Sequence, residues 1–144
     1  MVGPLFDGTA TAAREAEVAA DLGDLDVAAR AAASLKPYVG EIGAIGTAGV
    51  YGPIAIGLGR ALATVGRKDE AARAFRSAMD LADRNGLRAS SIWARLRLAE
   101  VLPERADAIQ LAGAAAHEAA TLGLLVAAQV GEQLCAQRAD GPAS

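Results

Sequence analysis

Cysteine is all but missing from this chain: among 144 residues only Cys135 carries a thiol. No disulfide can form within the chain, so a reducing cytoplasm is the expected setting and a buried thiol on an apolar helical stripe the expected environment. Histidine is just as scarce. His117 stands alone, with no second His or Cys three or four residues away, whereas a metal site needs several converging ligands. It is expected as a surface residue. No Ser lies in a G-x-S-x-G setting, and the glycine-rich stretch lacks the Lys-Ser/Thr that a phosphate-cradling loop requires. The carboxylates Glu15 and Glu17, and Asp24 and Asp26, lie near helix starts, where capping and the helix dipole give them a sufficient role. With no catalytic, metal or cofactor constellation, the chain is not expected to be an enzyme.

Long apolar runs are absent too, with one partial exception. Ile42 to Gly59 carries no charge and is about the length of a membrane span. It also holds Gly43, Gly46, Gly49, Gly52, Gly57, Gly59 and Pro53, too much helix-weakening residue for a spanning helix. Met1 to Ala10 has no basic region or apolar core and contains Asp7, so it does not read as a signal peptide. No membrane contact is expected.

Aromatics amount to 3%, and the β-branched residues that favour strands are sparse. Alanine dominates instead, within a hydrophobic fraction of 53%. Alanine is the strongest helix former and lets helices approach closely. The length fits one domain. Net charge is −3 but unevenly spread: −4 over residues 1–59, +4 over 60–105 and −3 over 106–144. That basic middle fits either a docking stripe or a solvated face laced with ion pairs.

Apolar spacing of three and four predicts about seven helices. Residues 1–10 read as a tail. The first helix covers Thr11 to Leu22, ended by Gly23, and the second carries Leu25, Ala28, Ala29, Ala32 and Leu35, ended by Pro37. Tyr38 to Gly49 reads as a long loop with close backbone approaches. The third helix takes Tyr51, Ile54, Ala55, Leu58, Leu62 and Val65 as its stripe, with Pro53 in its first turn. The fourth starts near Lys68 and runs to Asn85-Gly86, with Asp69–Arg73 and Arg76–Asp80 as expected surface pairs. The fifth starts at Ser90 or Ser91 and breaks at Pro103. The sixth covers Ala106 to Leu122, and the seventh Leu124 to Gln137. Residues 139–144 read as a second tail, leaving 11–138 as the domain. Short joints make this a set of stacked helical hairpins with a closing helix.

Helices three and four fit a tetratricopeptide repeat in register: Leu58-Gly59, Gly66, then Ala71, Phe75 and Ala78. Small residues sit where helices cross and one ring fills the gap. Leu62 replaces the usual tyrosine, and Asp83 stands where proline often ends the unit. Over residues 12–124 the order of motifs resembles a family more closely. Leu35-Lys36-Pro37-Tyr38-Val39-Gly40, Tyr51-Gly52, Leu58-Gly59-Arg60-Ala61-Leu62-Ala63-Thr64-Val65-Gly66-Arg67, Asp69-Glu70-Ala71, Phe75-Arg76-Ser77-Ala78 and Ala94-Arg95-Leu96-Arg97-Leu98-Ala99 are similar to the tetratricopeptide-like region of large bacterial regulators. These are the MalT-type, LuxR-type and cyclase-linked ATPase regulators common in actinobacteria. The resemblance implies an all-α, right-handed stack of antiparallel hairpins, a TPR-like α-solenoid, serving as a sensor or docking surface. No P-loop, cyclase or DNA-binding domain is present here, so the family's ATPase and DNA-binding activities are not carried over.

Thr11 to Val18 superficially resembles the opening of a LuxR-type helix-turn-helix. The helix that follows, Ala28-Ala29-Arg30-Ala31-Ala32-Ala33, is a packing helix and not a base reader. Direct nucleic-acid binding is therefore not expected. The expected function is a non-catalytic protein-interaction module of bacterial regulation, with a protein, peptide or neighbouring regulator domain as partner. A small-ligand sensor using the glycine-rich loop is the alternative. The concave side of such a stack is lined by the first helix of each pair, which nominates Arg60, Trp93, Arg95 and Arg97 as partner-binding residues. A homodimer through the alanine-rich end helix is also open.

Overall fold

The computed structural model describes residues 5–45 and 49–141. They form seven α-helices and one β-hairpin: α1 Leu5–Leu22, α2 Leu25–Leu35, β1 Ile42–Ile45, β2 Gly49–Pro53, α3 Ile54–Thr64, α4 Lys68–Arg84, α5 Arg88–Val101, α6 Arg105–Thr121 and α7 Leu125–Asp140. A single 3-10 turn, Lys36–Tyr38, continues α2 to the hairpin. No helix among the described residues is long and apolar enough to cross a membrane.

One device closes α1, α3, α4 and α6. Gly23, Gly66, Gly86 and Gly123 all take positive φ, between 68° and 83°. The residue after each glycine donates its N–H back to the carbonyl five positions earlier: Asp24 to Ala19, Arg67 to Leu62, Leu87 to Ala82 and Leu124 to Ala119, at 2.8–2.9 Å. This left-handed glycine cap satisfies carbonyls the helix end would otherwise orphan, and only glycine takes it without a Cβ penalty. The connections are so short that consecutive helices must run antiparallel. Proline follows where the chain turns otherwise, at Pro37 and Pro103, since it cannot continue a helix.

Each helix packs on the next from α1 to α7, and α1 also meets α3, α3 meets α5, and α5 meets α7. The odd-numbered helices therefore form a layer of their own. A core of Leu35, Ile54, Leu58, Leu62, Phe75 and surrounding alanines joins α1 to α4 and takes in Leu98 and Val101 of α5. A second, made of Ile92, Leu96 and seven alanines, joins α5 to α7. Ala55, Ala78 and Ala94 bridge α3, α4 and α5.

The glycine-rich segment departs from expectation. In place of a loop, Ile42–Ile45 pairs antiparallel with Gly49–Pro53, with a bulge at Gly43/Ala44; residues 46–48 lie outside the described residues. Isolated Ile, Val and Tyr among glycines favour extended backbone, and the close approaches need bare glycine. A Cβ on Gly43 would stand 2.8 Å from Ile54 Cδ1, and one on Gly52 (φ +114°) would stand 2.9 Å from Ser90 Oγ. The Ile54 N–H donates to the Glu41 carbonyl at 3.0 Å and closes the base. Tyr51 accordingly belongs to β2, not to α3, and Pro53 is the residue before the helix rather than within it.

Two smaller differences concern boundaries and surface charge. The helix expected from Thr11 begins at Leu5, and Ala10 is already buried, because the Ala10, Ala13, Ala16 spacing extends the packed stripe upstream. Residues 1–4 and 142–144 of the expected tails lie outside the described residues. Among the described residues neither Asp69–Arg73 nor Arg76–Asp80 forms an ion pair; Glu70 instead takes Arg67 at 2.7 Å and Lys36 at 3.6 Å.

Candidate functional site

The odd-numbered layer opens into a cavity of about 290 Å³ lined by Glu17, Tyr51, Ile56, Arg60, Ser90, Trp93 and Arg97. Every helix lining it is odd-numbered: Glu17 comes from α1, Ile56 and Arg60 from α3, and Ser90, Trp93 and Arg97 from α5, with Tyr51 added by β2. Helical geometry explains the selection. Ile56 and Arg60 are four residues apart, and Ser90, Trp93 and Arg97 fall at steps of three and four, so each set shares one helix face.

Both guanidinium groups are braced. Arg60, only 13% exposed, reaches Asp21 on α1 at 2.5 Å. Arg97 donates to Glu100 Oε1 at 2.6 Å. Its guanidinium carbon also lies 5.3 Å from the Trp93 ring centroid, within cation–π range. A guanidinium has five N–H donors in a planar fork, so these contacts leave donors over. Opposite them the Tyr51 hydroxyl donates to Glu17 Oε1 at 2.6 Å. Burial above all, then that hydrogen bond and the Glu17 charge, holds the Tyr51 phenol protonated well above the usual tyrosine range. The pocket thus joins an aromatic wall, two arginines and one carboxylate already engaged by a phenol.

Three of the four nominated residues, Arg60, Trp93 and Arg97, meet here. Arg95 does not. Two positions along a helix turn a side chain about 200°, so Arg95 leaves the Trp93/Arg97 face and turns to α6. There it donates to Glu118 Oε2 at 2.5 Å, while Arg88 reaches Glu118 Oε1 at 3.3 Å. The hydrogen bond from Arg95 is the main cause holding the Glu118 carboxyl below its ordinary range. Arg95 joins two helices and is no part of the pocket.

Sequence reasoning missed Tyr51 and Glu17. Tyr51 continues the helical spacing of Ile54, Ala55 and Leu58, so its period concealed a strand residue. Glu17 resembled an ordinary first-helix carboxylate. Elsewhere, His117 is exposed on α6, and half-buried Cys135 donates to the Ile109 carbonyl at 3.5 Å. Among the described residues no three His, Cys, Asp or Glu side chains gather as metal ligands. No protein-family model matches the chain, and neither a curated protein nor a solved structure matches it significantly.

Proposed function

We propose that the chain is a non-catalytic docking scaffold, a helical-repeat stack of the tetratricopeptide kind, that holds a protein or peptide partner against its odd-numbered helices. The observation that carries this reading is the convergence of Arg60, Trp93 and Arg97 on one pocket. Arginine and tryptophan are enriched among residues that anchor partners. The occupant is a segment with one apolar or aromatic side chain for the cavity and acidic neighbours for the two arginines. The contacts of α1 with α3, α3 with α5 and α5 with α7 support the repeat-stack reading, as does Phe75 lying against Gly59. The motif order supports placing the module in the cytoplasm, within bacterial signalling or transcriptional regulation, acting on protein and not directly on nucleic acid.

The test is retention of partners from a cytoplasmic lysate of the source organism, compared across point variants. Arg60→Glu and Arg97→Glu should each lower retention of the same protein at least tenfold, while Arg95→Gln leaves it unchanged. Equal loss with all three, or none with any, rejects the pocket as the docking site. Trp93, the only tryptophan, supplies a direct fluorescence readout of occupancy. A second reading, a small-ligand sensor, draws on the modest cavity size, just below the roughly 300–1,000 Å³ of small-molecule sites. Ligand-dependent rises in Tm that Trp93→Ala abolishes would favour it over docking.

A further inference from the structure

The two ends of the helix row differ from its middle. At one end Val18 is 55% exposed, Leu22 77% and Leu25 60%; at the other Leu125 is 75% exposed and Val126 66%. These residues flank the Gly23 and Gly123 turns, which share the pattern Leu-Gly-X-Leu: Leu22-Gly23-Asp24-Leu25 and Leu122-Gly123-Leu124-Leu125. The interior turns read Val65-Gly66-Arg67-Lys68 and Asn85-Gly86-Leu87-Arg88, and carry Lys68 and Arg88 where the end turns carry their second leucine.

The two ends also differ from each other in shape. Between α1 and α2 lies a cavity of about 470 Å³, lined by Thr11, Arg14, Val18, Leu22 and Val27 among others. At the far end Leu125 and Val126 project from the first turn of α7. The exposed positions that follow on α7 include Gln129, Gln133 and Ala136, all uncharged. A terminal helix that faces water usually carries charge on its outer side. Here the exposed acid in mid-helix is Glu132, which makes no ion pair among the described residues, and Arg14 in the α1–α2 groove makes none either.

We propose that the α1–α2 groove seats α7 of a second copy of this chain, so that copies associate head to tail. Leu125 and Val126 fill the groove over Val18 and Leu22, and Glu132 of one copy complements Arg14 of the next. Leu125 over Leu22 and Glu132 at Arg14 set α7 antiparallel to the next copy's α1, the orientation that consecutive helices take inside the chain. A groove placed against a second groove would leave facing hollows without packing partners; a projecting helix turn fills one. Such a contact uses two different surfaces, so it adds copies in sequence instead of closing as a symmetric dimer. It is independent of the pocket at Trp93.

The test is sedimentation equilibrium of the full chain, the single variants Leu22→Glu and Val126→Glu, and their mixture. Both positions are exposed, so far-UV circular dichroism should match the unmodified chain. The unmodified chain should show an average mass that rises with concentration past two copies. Each variant alone should stay at the mass of one chain. The equimolar mixture should recover a complex of two, because each variant keeps the surface the other has lost. An unmodified chain that stays monomeric at millimolar concentration overturns the proposal. So does association that survives in Val126→Glu alone, which means groove against groove, or in Leu22→Glu alone, which means α7 against α7. Association in both, or a mixture that stays monomeric, overturns it as well.

Discussion

The α1–α4 half and the α5–α7 half are both close-packed, by opposite means. The first builds its core from large side chains, Phe75, Leu35, Ile54, Leu58 and Leu62, set among alanines. The cluster that joins α5 to α7 has only Ile92 and Leu96 as large residues, and seven of its nine buried members are alanine, while Leu98 and Val101 of α5 pack into the first core. Large side chains space most of the helices in the first, where only α3 meets α1 closely, a Cβ on Gly57 standing 2.9 Å from the Ala13 carbonyl; in the second, backbones come close enough to dispense with large side chains. One residue type serves both plans. A Cβ on Gly59 would stand 2.5 Å from the Phe75 ring, so this glycine makes room for a large group. A Cβ on Gly131 would stand 2.6 Å from Ala116 Cβ and 2.9 Å from the Ala112 carbonyl, so this one admits a neighbouring helix.

The halves should therefore fail under opposite substitutions. Phe75→Ala removes the largest fully buried side chain and should destabilise by about 3–5 kcal/mol, read as a fall in urea midpoint at constant slope. Gly131→Ala fills space the second half does not have and should cost about 1–3 kcal/mol by the same measurement. If Gly131→Ala instead stabilised, the close-backbone account of that half would be wrong. Asp24→Ala removes the one side-chain cap seen among the described helix starts, where Asp24 accepts from the Val27 N–H at 3.0 Å. It should cost about 1 kcal/mol. No matching substitution exists in the second half, because Leu87, Glu104 and Leu124 make no such cap bond. Gly113→Ala sharpens the contrast with Gly131 on the neighbouring helix. Its added methyl meets only Cys135 Sγ, at 3.8 Å, so the helix-propensity gain of about 0.5–1 kcal/mol should raise Tm.

The smallest expected effect is electrostatic. Glu118 ties α6 to α5 through Arg95 and Arg88, and its carboxyl is held below the ordinary 4.5. A group with a depressed folded pKa adds stability above its unfolded pKa and loses it as pH falls through the folded value. The Tm difference between the unmodified chain and Glu118→Gln should stay level from neutral pH down to about 5, then shrink in more acid solution. A difference that grows on acidification would show that the Arg95 bridge is not its source.

Helix number and most boundaries were legible because alanine-rich stripes with glycine stops leave little freedom. Gly23, Gly66, Gly86 and Gly123 each mark a turn whose hydrogen bonds follow from one residue type. The hairpin was not legible. Its strands are short, its glycines hide the alternation, and Tyr51 falls in phase with the helix that follows. For the pocket, the spacing of Trp93 and Arg97 was readable as a shared face, and the same arithmetic excludes Arg95. Glu17 and Tyr51 entered only through a contact between positions 34 residues apart, which no local pattern encodes.

That long-range contact also bears on the order in which the chain folds. The glycine-capped helix pairs close over neighbours a few residues apart and need little loop entropy, so they form fast. The hairpin is held through the Tyr51–Glu17 bond and the Gly52–Ser90 approach, and neither partner is in place until α1 and α5 have docked on α3. The strand that completes the pocket should therefore settle after the helices it rests on. Its amides should exchange with solvent ahead of the helical core, and a partner bound in the pocket should slow that exchange.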